Sequence, residues 1–468
     1  MSKKIIGSLL GIIIVGAIAC VIGYFMMQKE VTISHENLIM YTGYTKDIYL
    51  KNYDGVCEWK SLDTQVANVS DGCIEALRPG ETVILCTTEE DEEYICKVQV
   101  YQPISYEYHK QAYKDVEWLE SLQLDNGSFS CYELEENMPA RVNPYFGSYA
   151  AIAILRYDHE AEKYGKIEHF VEWYLSHMNM KKDVYGSIGT IYDYTVSVKN
   201  GHVVKEESKQ QYDSADSYVA MFLMLVEEYI EKYDNKDFII KDKDKYDILV
   251  DLLLLLQKDN YTESKNGSNV KYLMNNMEAY QGLLSAKKLY DKLWSDDKRV
   301  SKLAEAIEGF EKNFIKSWAS DSYYYPVLDG HNDSFYGDKM EWSMLYEYAV
   351  PQLFPVIFGI VDPDDELMKK VYEEFCSNWD WTKMEFENDG SSANQTWSLI
   401  AYAAMKMEDS ARVDAYIEHY IANITDRSFP FYSGDAVWFV LTCEEAYNYY
   451  SRSERNGILH PQYKNRTK

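Results

Sequence analysis

The stretch Tyr212-Asp213-Ser214-Ala215-Asp216-Ser217-Tyr218 places acids and aromatic residues directly before the apolar segment Ala220–Leu225. Other short stretches of polar and aromatic residues open apolar helical segments in the same way: Asn143–Phe146, Asn275–Tyr280, Asp338–Trp342, Ser392–Trp397 and Tyr432–Trp438. Between successive stretches lies one further helical segment without such an opening. This alternation predicts twelve helices in two classes, arranged as a ring of hairpins in which one class lines a shared mouth.

The two classes of predicted helix differ in polarity. The outer helices are amphipathic and carry most of the Lys, Glu and Asp, over 109–123, 162–179, 244–258, 296–317, 364–379 and 410–423. The inner helices, over 145–157, 214–232, 275–291, 339–350, 392–407 and 433–450, are apolar on most faces and should therefore be buried. Pro351 and Pro355 are predicted to cut the fourth inner helix short.

A second repeat supports the hairpin ring. Leu122-Gln123-Leu124-Asp125-Asn126 ends the first outer helix, and Leu256-Gln257-Lys258-Asp259-Asn260 ends the third. The run from Trp118-Leu119 through Gln123 to Asp125-Asn126-Gly127-Ser128-Phe129 resembles the "W-L … Q … D-G-S-F" signature of α/α toroids of the six-hairpin glycosidase type. That resemblance, over about 105–450, implies an all-α (α/α)6 toroid with Gly127 at positive φ after a helix end. The superfamily contains glycoside hydrolases, some polysaccharide lyases and sugar epimerases.

The N-terminus carries an uncharged run, Ile5–Met27, preceded by Lys3-Lys4. At ~1.5 Å per residue it spans roughly 34 Å, enough to cross a bilayer core of about 30 Å. We expect residues 1–28 to be a cytoplasmic stub and an uncleaved transmembrane signal anchor, with the rest of the chain outside the cell. A cleaved signal peptide is the alternative, and Ala17-Ile18-Ala19-Cys20 faintly resembles a lipoprotein cleavage site with Cys20 as the lipidated residue.

Residues 31–102 alternate as short strands, for example at 47–51, 82–86 and 94–100, and predict a small β-sandwich. The order Trp59 … Ser61-Leu62-Asp63-Thr64-Gln65-Val66-Ala67-Asn68-Val69, then Gly72-Cys73-Ile74-Glu75-Ala76, then Gly80-Glu81-Thr82-Val83-Ile84 resembles the bacterial Ig-like domains of group 2. Such domains act as spacers or adhesive modules. The toroid is expected over 105–452, followed by a polar tail over 453–468.

Cysteines are concentrated in the β segment. Cys86 and Cys96 flank the acidic turn Glu89–Glu93 almost symmetrically, so a hairpin would place them opposite one another. Four cysteines allow three disulfide connectivities, and we expect Cys86–Cys96 with Cys57–Cys73. No CxxC or HExxH pattern occurs, and neither a metal nor a cofactor is predicted.

The formal net charge of −29 makes a nucleic-acid partner unfavourable, because phosphate backbones would be repelled. Acidity alone is also explained by solubility. The 43 tyrosines suit a groove that stacks on sugar rings, although tyrosine also packs in cores with its hydroxyl in water. In the sequence, no arginine apart from Arg141 lies near any of the six stretches. Because an anionic glycan needs cationic side chains, we expect a neutral glycan instead.

Asp213 and Asp216 lie three residues apart, on one face of a helix if both are helical. Their stretch is similar to a "T-D-A-D" segment of family-8 glycoside hydrolases, which implies that both are substrate-contacting or catalytic carboxylates. That family carries its general acid in an "S-E-G-x-x-Y-G" segment at an earlier inner helix. The matching position here is Val142-Asn143-Pro144-Tyr145-Phe146-Gly147, which has no glutamate.

Glycoside hydrolysis usually needs two carboxylates, one with a raised pKa as acid and one as base or nucleophile. Asp216 with Glu278 is the preferred pair, because the apolar neighbours of Glu278 would desolvate it and raise its pKa. Asp193 is the second choice for this role. Glu341 is equally plausible as a catalytic carboxylate, but it could instead form an ion pair with Lys339. A first-turn acid also caps a helix or complements its dipole, which is the alternative for each of these residues.

The remaining stretches supply candidate sugar-binding side chains, aromatic for stacking and polar for hydroxyl groups. They are Asp213, Asn143, Tyr145, Tyr192, Asn275, Tyr280, Glu341, Trp342, Asn394, Trp397, Asp435 and Trp438. Helix capping and core packing are the competing explanations.

These features predict a membrane-anchored extracellular enzyme, a glycoside hydrolase acting on a poly- or oligosaccharide. A non-catalytic surface protein that binds a glycan in the same groove is the alternative. A polysaccharide lyase is a third possibility, but no histidine lies at an inner-helix tip to act as its base.

Overall fold

The structure is a computed structural model that describes residues 30–135, 138–157, 164–328, 340–386 and 395–464. These residues fall into two compact units. The first runs up to Tyr106 and takes in Asn448–Lys468, whereas the second spans Glu107–Tyr447. The segment predicted as a separate polar tail, 453–468, thus belongs to the first unit as far as it is described.

The first unit consists mainly of short strands. In chain order β1–β9 are Thr32–Ile33, Asn37–Tyr41, Thr45–Asp47, Leu50–Lys51, Cys57–Ser61, Ala67–Ser70, Cys73–Ala76, Gly80–Thr88 and Glu93–Tyr101. One sheet has the order β2-β9-β8-β5, a second has the order β3-β7-β6, and β1 pairs with β4. The strands predicted at 82–86 and 94–100 lie within β8 and β9, whereas the one at 47–51 is split between β3 and β4.

The two sheets bury one hydrophobic core, which includes Ile74, Ile84 and Val98. Trp59, the tryptophan of the Ig-like motif, packs against that core while remaining partly exposed. This arrangement is consistent with a small β-sandwich, and membership in the group 2 Ig-like domains stays a prediction.

The expected disulfides are absent, because Cys57, Cys73, Cys86 and Cys96 are all free thiols. The expected hairpin register is wrong by two residues: Cys86 lies opposite Tyr94, and Cys96 lies opposite Ile84. Cys57 and Cys73 belong to β5 and β7, which lie in different sheets. Burial, together with the neighbouring thiol of Cys57, raises the pKa of Cys86 to about 12.

The C-terminal segment is bound to the first unit through specific contacts. The hydroxyl of Tyr41 donates to the carbonyl of Ile458 over 2.8 Å and accepts from the N–H of His460 over 3.0 Å. Buried Glu454 accepts hydrogen bonds from the N–H of Ile104 over 2.7 Å and from the N–H and hydroxyl of Ser105 over 3.0 and 2.7 Å. These bonds explain why the segment is not a free tail.

The second unit is mostly helical, as predicted. Apart from a short helix at Lys236–Ile240, its α-helices α1–α12 are, in chain order, Ser105–Ser121, Pro144–Tyr157, Tyr164–His177, Ala215–Tyr233, Lys243–Leu256, Leu273–Leu289, Asp297–Trp318, Phe354–Ile357, Glu366–Asn378, Ser398–Lys406, Ser410–Asn423 and Ser433–Arg455. The even-numbered helices correspond to the predicted inner class, and the odd-numbered helices correspond to the outer class.

Burial separates the two classes as expected. In α2, every residue from Gly147 to Leu155 is buried. The outer helix α7 buries one stripe, spaced three or four residues apart: Leu303, Ile307, Phe310, Phe314 and Trp318. The inner helices α4 and α6 approach so closely that a Cβ at Gly282 would lie 2.6 Å from the Cα of Ala220. Only glycine fits there, and the close approach brings the N-terminal ends of α4 and α6 together.

The repeated turn after the outer helices is built twice in the same way. The side-chain amide of Gln123 donates to the carbonyls of Gly127 and Lys166 over 3.1 and 2.8 Å. Gln257 donates likewise to the carbonyls of Asn260 and Ala306 over 2.9 and 3.2 Å. Each glutamine thus joins its turn to the next outer helix. Gly127 has φ +95°, which confirms the predicted left-handed conformation.

The fourth inner helix differs from the prediction of a helix over 339–350 ended by prolines. It consists of a π-helical turn, Leu345–Ala349, a 3-10 turn, Val350–Leu353, and α8. Pro351 and Pro355 lie in the first turns of the latter two pieces. A proline is tolerated there because the first N–H groups of a helix have no intrahelical partner. The prolines therefore divide this helix into short pieces without ending it.

A small antiparallel sheet not expected from the sequence adjoins the helices. Its strands β10–β12 are Ala140–Val142, Tyr194–Lys199 and His202–Ser208, in the order β10-β11-β12. Val142 pairs with Tyr194, so the sheet places the segments before α2 and α4 side by side.

Among the residues that the structure describes, no helix combines the length and apolar character needed to cross a bilayer. The predicted anchor, Ile5–Met27, lies outside the described residues.

Candidate active site

A cavity of about 1120 Å³ opens where the N-terminal ends of all six inner helical segments meet. Five of the six polar and aromatic stretches contribute at least one side chain, whereas the fourth, Asp338–Trp342, contributes none as far as it is described. From these stretches the lining includes Asn143, Tyr145, Asp213, Ser217, Tyr218, Asn275, Glu278, Gln395, Trp397, Tyr432, Asp435 and Trp438, with Tyr346 and Phe354 from the divided fourth helix. This convergence is consistent with an α/α toroid.

Glu278 is the most deeply enclosed carboxyl group on the cavity wall, with 2% of its surface exposed. The hydroxyl of Tyr145 donates to its Oε1 over 2.6 Å, and that of Tyr149 donates to the same oxygen over 3.2 Å. Burial raises the pKa of Glu278 to about 7, although the nearby hydroxyl groups act in the opposite direction. The group can therefore hold or release a proton near neutral pH.

Asp193 lies on the same wall, just before β11, and is half-buried. The hydroxyl of Tyr218 donates to its Oδ1 over 2.9 Å, and the amide of Asn143 donates to the Tyr218 oxygen over 2.7 Å. Burial raises the pKa of Asp193 to about 6, and the negative charge of Asp213 adds to that rise. The pKa values of Asp193 and Glu278 are thus both raised above the ordinary range of a carboxyl group.

Asp213 is the exposed carboxylate of the site, at the entry to α4. Its charge and that of Glu278 both contribute, after burial, to raising the pKa of Tyr346 to about 12. Tyr346 is 46% exposed and lines the cavity. Asp213 and Glu278 thus influence the same part of the cavity.

Asp216, the preferred partner of Glu278 from the sequence, is fully buried and lies outside the cavity lining. The hydroxyl of Thr262 donates to its Oδ2 over 2.7 Å, and its Oδ1 accepts from the N–H of Ser217 and the amide of Asn275 over 2.9 and 3.3 Å. Burial raises its pKa to about 6. Asp216 lies three residues after Asp213 and outside the cavity lining. Its hydrogen bond with Thr262 connects α4 to the segment before α6.

Asn275 and Asp435 line the cavity but also have structural contacts. Asn275 donates to the hydroxyl of Ser214 over 2.8 Å. Asp435 accepts from the N–H and hydroxyl of Thr396 over 2.9 and 2.7 Å and from the N–H of Tyr432 over 3.3 Å. It therefore joins the beginnings of α10 and α12, in keeping with a first-turn acid.

Aromatic rings form part of the cavity wall. Trp397 and Tyr346 lie with ring centroids 5.9 Å apart, and Trp438 packs against Tyr149 at 5.1 Å. Trp397 has φ +52° and ψ +35°, a left-handed conformation that is costly for a bulky residue. Such strain persists where the surrounding structure imposes it, and it is often found at functional sites.

Four other predicted binding residues lie outside the cavity lining, and three of them make hydrogen bonds elsewhere. The hydroxyl of Tyr192 accepts from the N–H of Val184 over 3.1 Å, and that of Tyr280 donates to Glu311 over 2.7 Å. The carbonyl of Trp342 accepts from the indole of Trp379 over 2.9 Å, and Glu341 is exposed away from the lining. Asn394 lies outside the described residues.

Sequence reasoning missed several lining residues. Tyr218 and Tyr432 lie within the polar and aromatic stretches, but their residue type alone does not separate lining rings from packed ones. Arg141 and Lys209 line the cavity from β10 and from the segment after β12, and the sequence did not predict the sheet that places them there. Tyr346 lies in the π-helical turn, for which the sequence offered no signal.

Within the described part of the chain, no group of three or more His, Cys, Asp or Glu side chains is arranged to hold a metal ion.

No family model matches the chain, and no curated protein matches its sequence. Among solved structures, the chain is similar to a wild-type glycosidase, at 12% identity over 76% of this chain and 98% of the other, with a TM-score of 0.48. It is also similar to an alpha-L-rhamnosidase from Dictyoglumus thermophilum, at 11% identity over 86% and 41% of the two chains, with a TM-score of 0.46. A third similarity is to a novel alpha-amylase from Clostridium perfringens, at 12% identity over 72% and 97%, with a TM-score of 0.45. At these values none of the similarities identifies a substrate or a reaction.

Proposed function

We propose that the helical unit is a glycoside hydrolase that binds a neutral glycan in its cavity. The observation that carries this proposal is Glu278, a buried carboxyl group on the cavity wall whose pKa is raised to about 7. Hydrolysis of a glycosidic bond needs an acid of this kind beside a second, ionised carboxylate. Asp193 and Asp213 line the same cavity and supply candidates for the second group.

In the proposed reaction, Glu278 protonates the oxygen of the departing sugar. Both tyrosine hydroxyl groups bind Oε1, so the transferable proton would be carried by Oε2. The second carboxylate then either takes a proton from an attacking water molecule or attacks the sugar carbon itself. This assignment keeps Glu278 and Asp193 from the sequence prediction and gives Asp216 a structural role.

The rest of the lining suits a neutral glycan. Trp397, Tyr346 and Trp438 offer ring faces against which the C–H faces of a sugar can pack, and Gln395 offers an amide group for hydroxyls. The lining carries the acids Asp193, Asp213, Glu278 and Asp435 against the bases Arg141 and Lys209. An excess of carboxyl groups disfavours an anionic substrate.

The direct test is incubation of the full chain with a panel of neutral oligosaccharides, with released reducing ends as the readout. We expect wild-type hydrolysis of at least one glycan, and a loss of 10²-fold or more in Glu278→Gln, in keeping with the rate contribution of a general acid, roughly 10²–10⁴. Glu311→Gln, which removes a carboxylate on α7 outside the cavity lining, is the matched control and should keep wild-type activity.

Other outcomes would replace the proposal. Glycan binding without release of reducing ends would assign the groove to a non-catalytic surface receptor. Products with an unsaturated sugar ring would indicate a lyase. Equal activity in wild type and Glu278→Gln would remove Glu278 from the mechanism.

We also propose, from the uncharged run Ile5–Met27 and the preceding lysines, that the enzyme is anchored in the cell membrane with its bulk outside the cell. Protease added to intact cells should then remove the helical unit, whereas an internal location would protect it.

A further inference from the structure

Three cavity residues from different segments form one chain of hydrogen bonds. The amide of Asn143, just before α2, donates to the hydroxyl oxygen of Tyr218 over 2.7 Å. The Tyr218 hydroxyl, on α4, donates in turn to Oδ1 of Asp193 over 2.9 Å. All three residues line the cavity.

The direction of this chain follows from the helix cap at Asn143. Its Oδ1 accepts from the N–H groups of Tyr145 and Phe146 over 3.0 and 3.2 Å, so it caps the N-terminus of α2. Turning the amide over would break both bonds, and its NH₂ group must therefore point at Tyr218. The Tyr218 oxygen is already an acceptor, which leaves its hydrogen for Asp193.

Both ends of the final bond are held in place. The Tyr218 ring is 3% exposed and stacks on Tyr145 with centroids 5.9 Å apart. The backbone of Asp193 donates to the carbonyl of Gln211 over 2.9 Å and accepts from the N–H of Lys209 over 2.7 Å. With Oδ1 occupied by Tyr218, Oδ2 is the oxygen left to meet a water molecule or a substrate.

We propose that Asn143 and Tyr218 are a positioning pair that holds Asp193 ionised and oriented, and that Asp193 is the second carboxylate of the hydrolytic site. This inference rests on the proposed function and deepens it by choosing Asp193 over Asp213. A donated hydrogen bond stabilises a carboxylate relative to its acid form. The neighbouring Tyr145 does the same for Glu278, so two adjacent tyrosines on two helices serve the two carboxyl groups.

Three variants of the full chain separate the parts of this proposal. Tyr218→Phe removes the donor to Asp193 and keeps the ring. Asn143→Ser keeps a good helix cap but removes the NH₂ donor, so folding of α2 is retained. Tyr145→Phe is the matched control, because it removes a donor to Glu278 and leaves the bond to Asp193 intact.

The first measurement does not require activity. The carboxyl carbons of aspartate are labelled with ¹³C, the Asp193 signal is assigned by its loss in Asp193→Asn, and its titration is followed by NMR. We expect the acid dissociation constant of Asp193 to fall about tenfold in Tyr218→Phe, by a smaller factor in Asn143→Ser, and to stay unchanged in Tyr145→Phe. Unchanged titration in both Tyr218→Phe and Asn143→Ser would overturn the positioning role.

The second measurement is the pH profile of kcat/KM on any glycan that is hydrolysed. The acidic limb should move to higher pH in Tyr218→Phe, whereas Tyr145→Phe should move only the basic limb. Movement of the acidic limb in Asp213→Asn with none in Tyr218→Phe would assign the second carboxylate to Asp213 and overturn the choice of Asp193. A wild-type chain that hydrolyses nothing, but in which Tyr218→Phe shifts the Asp193 titration, would reject the proposed function and leave the positioning contact established.

Discussion

The hydroxyl of Tyr145 lies 2.6 Å from Oε1 of Glu278, and it joins the first turn of α2 to the first turns of α6. A donor on a carboxylate lowers its pKa, so it opposes the burial that raises the pKa of Glu278 to about 7. The hydroxyl groups of Ser217 and Tyr149 also lower the pKa and the charge of Asp216 raises it, so Tyr145 is one of several groups that set the pH at which Glu278 loses its proton.

Replacing Tyr145 with phenylalanine should therefore raise the pKa of Glu278. The acid form would persist to higher pH, and the basic limb of the kcat/KM profile should move upward by roughly one pH unit, since a hydrogen bond to a charged group is worth about 1.5–3 kcal/mol. Steady-state kinetics across the pH range measures the shift. A basic limb that stays in place would show that another group titrates there.

Asp216 should affect stability more than catalysis. Its folded pKa of about 6 exceeds the ordinary value of about 3.9, so the folded chain binds this proton more tightly than the unfolded chain. The free energy of unfolding should consequently fall by about 3 kcal/mol as the pH rises from about 4 to about 6, and this contribution should stay constant above that range.

Asp216→Asn removes that titration. Urea unfolding of both proteins across the range should show wild type losing stability relative to the variant as the pH rises. Activity should remain within about tenfold of wild type, because Asp216 lies outside the cavity lining. A loss as large as that of Glu278→Gln would restore Asp216 to the reacting groups.

The ring arrangement and its mouth were predictable from the sequence, because both follow from local patterns. Helical period and polarity separate the inner from the outer helices, and Gly127 with Gln123 marks a turn whose geometry the structure repeats at Gln257. Which acid faces the cavity was not predictable in the same way. Asp213 and Asp216 differ by less than one helical turn, and a small difference in where α4 begins decides which one reaches the mouth.

The contacts that tune the site depend on residues far apart in sequence. Tyr218 on α4 meets Asp193, 25 residues earlier in the chain, and Tyr346 reaches the cavity through a π-helical turn. The disulfide prediction failed for a related reason: strand register between β8 and β9 differs by two residues from the symmetrical hairpin. Hydrophobic alternation with a period of two does not distinguish these registers.

Trp397 offers a test of the aromatic wall. Trp397→Gly should relieve the left-handed strain, by about 1 kcal/mol, while removing the ring beside Tyr346. We expect glycan binding to weaken about tenfold or more, as for the loss of a stacking aromatic worth ~1–3 kcal/mol, without a large loss of stability. Isothermal titration calorimetry measures the affinity. Tyr346→Phe keeps its ring and should bind nearly as well as wild type, so equal weakening in both variants would point to a general collapse of the wall.

Asp115 and Arg427 connect α1 with the segment before α12, which are the first and last parts of the helical unit. Asp115 is 1% exposed and accepts from Nε and an NH₂ group of Arg427 over 3.0 and 2.7 Å and from the hydroxyl of Tyr420 over 2.9 Å.

Arg427→Met should lower the free energy of unfolding by about 3–5 kcal/mol, because it leaves a buried carboxylate without its cation. The double variant Asp115→Asn, Arg427→Met should recover part of that loss in urea unfolding. Equal instability of the single and double variants would show that packing of the arginine stem, and not its charge, is what matters.

Two glycines of the first unit allow a matched test of how the C-terminal segment docks. Gly457 has φ +66°, and a Cβ there would lie 2.4 Å from the carbonyl oxygen of Ile39 on β2. Gly43 has φ +88° and open space where a Cβ would go. Both alanine variants incur the left-handed penalty of roughly 1 kcal/mol, but only Gly457→Ala must also move backbone away from backbone, at a further cost of about 1–3 kcal/mol.

Hydrogen exchange followed by mass spectrometry should therefore show faster exchange in β2 and in the residues around Ile458 for Gly457→Ala than for Gly43→Ala. Equal exchange in the two variants would mean that the segment after Arg455 contributes little to holding the strands of this unit together.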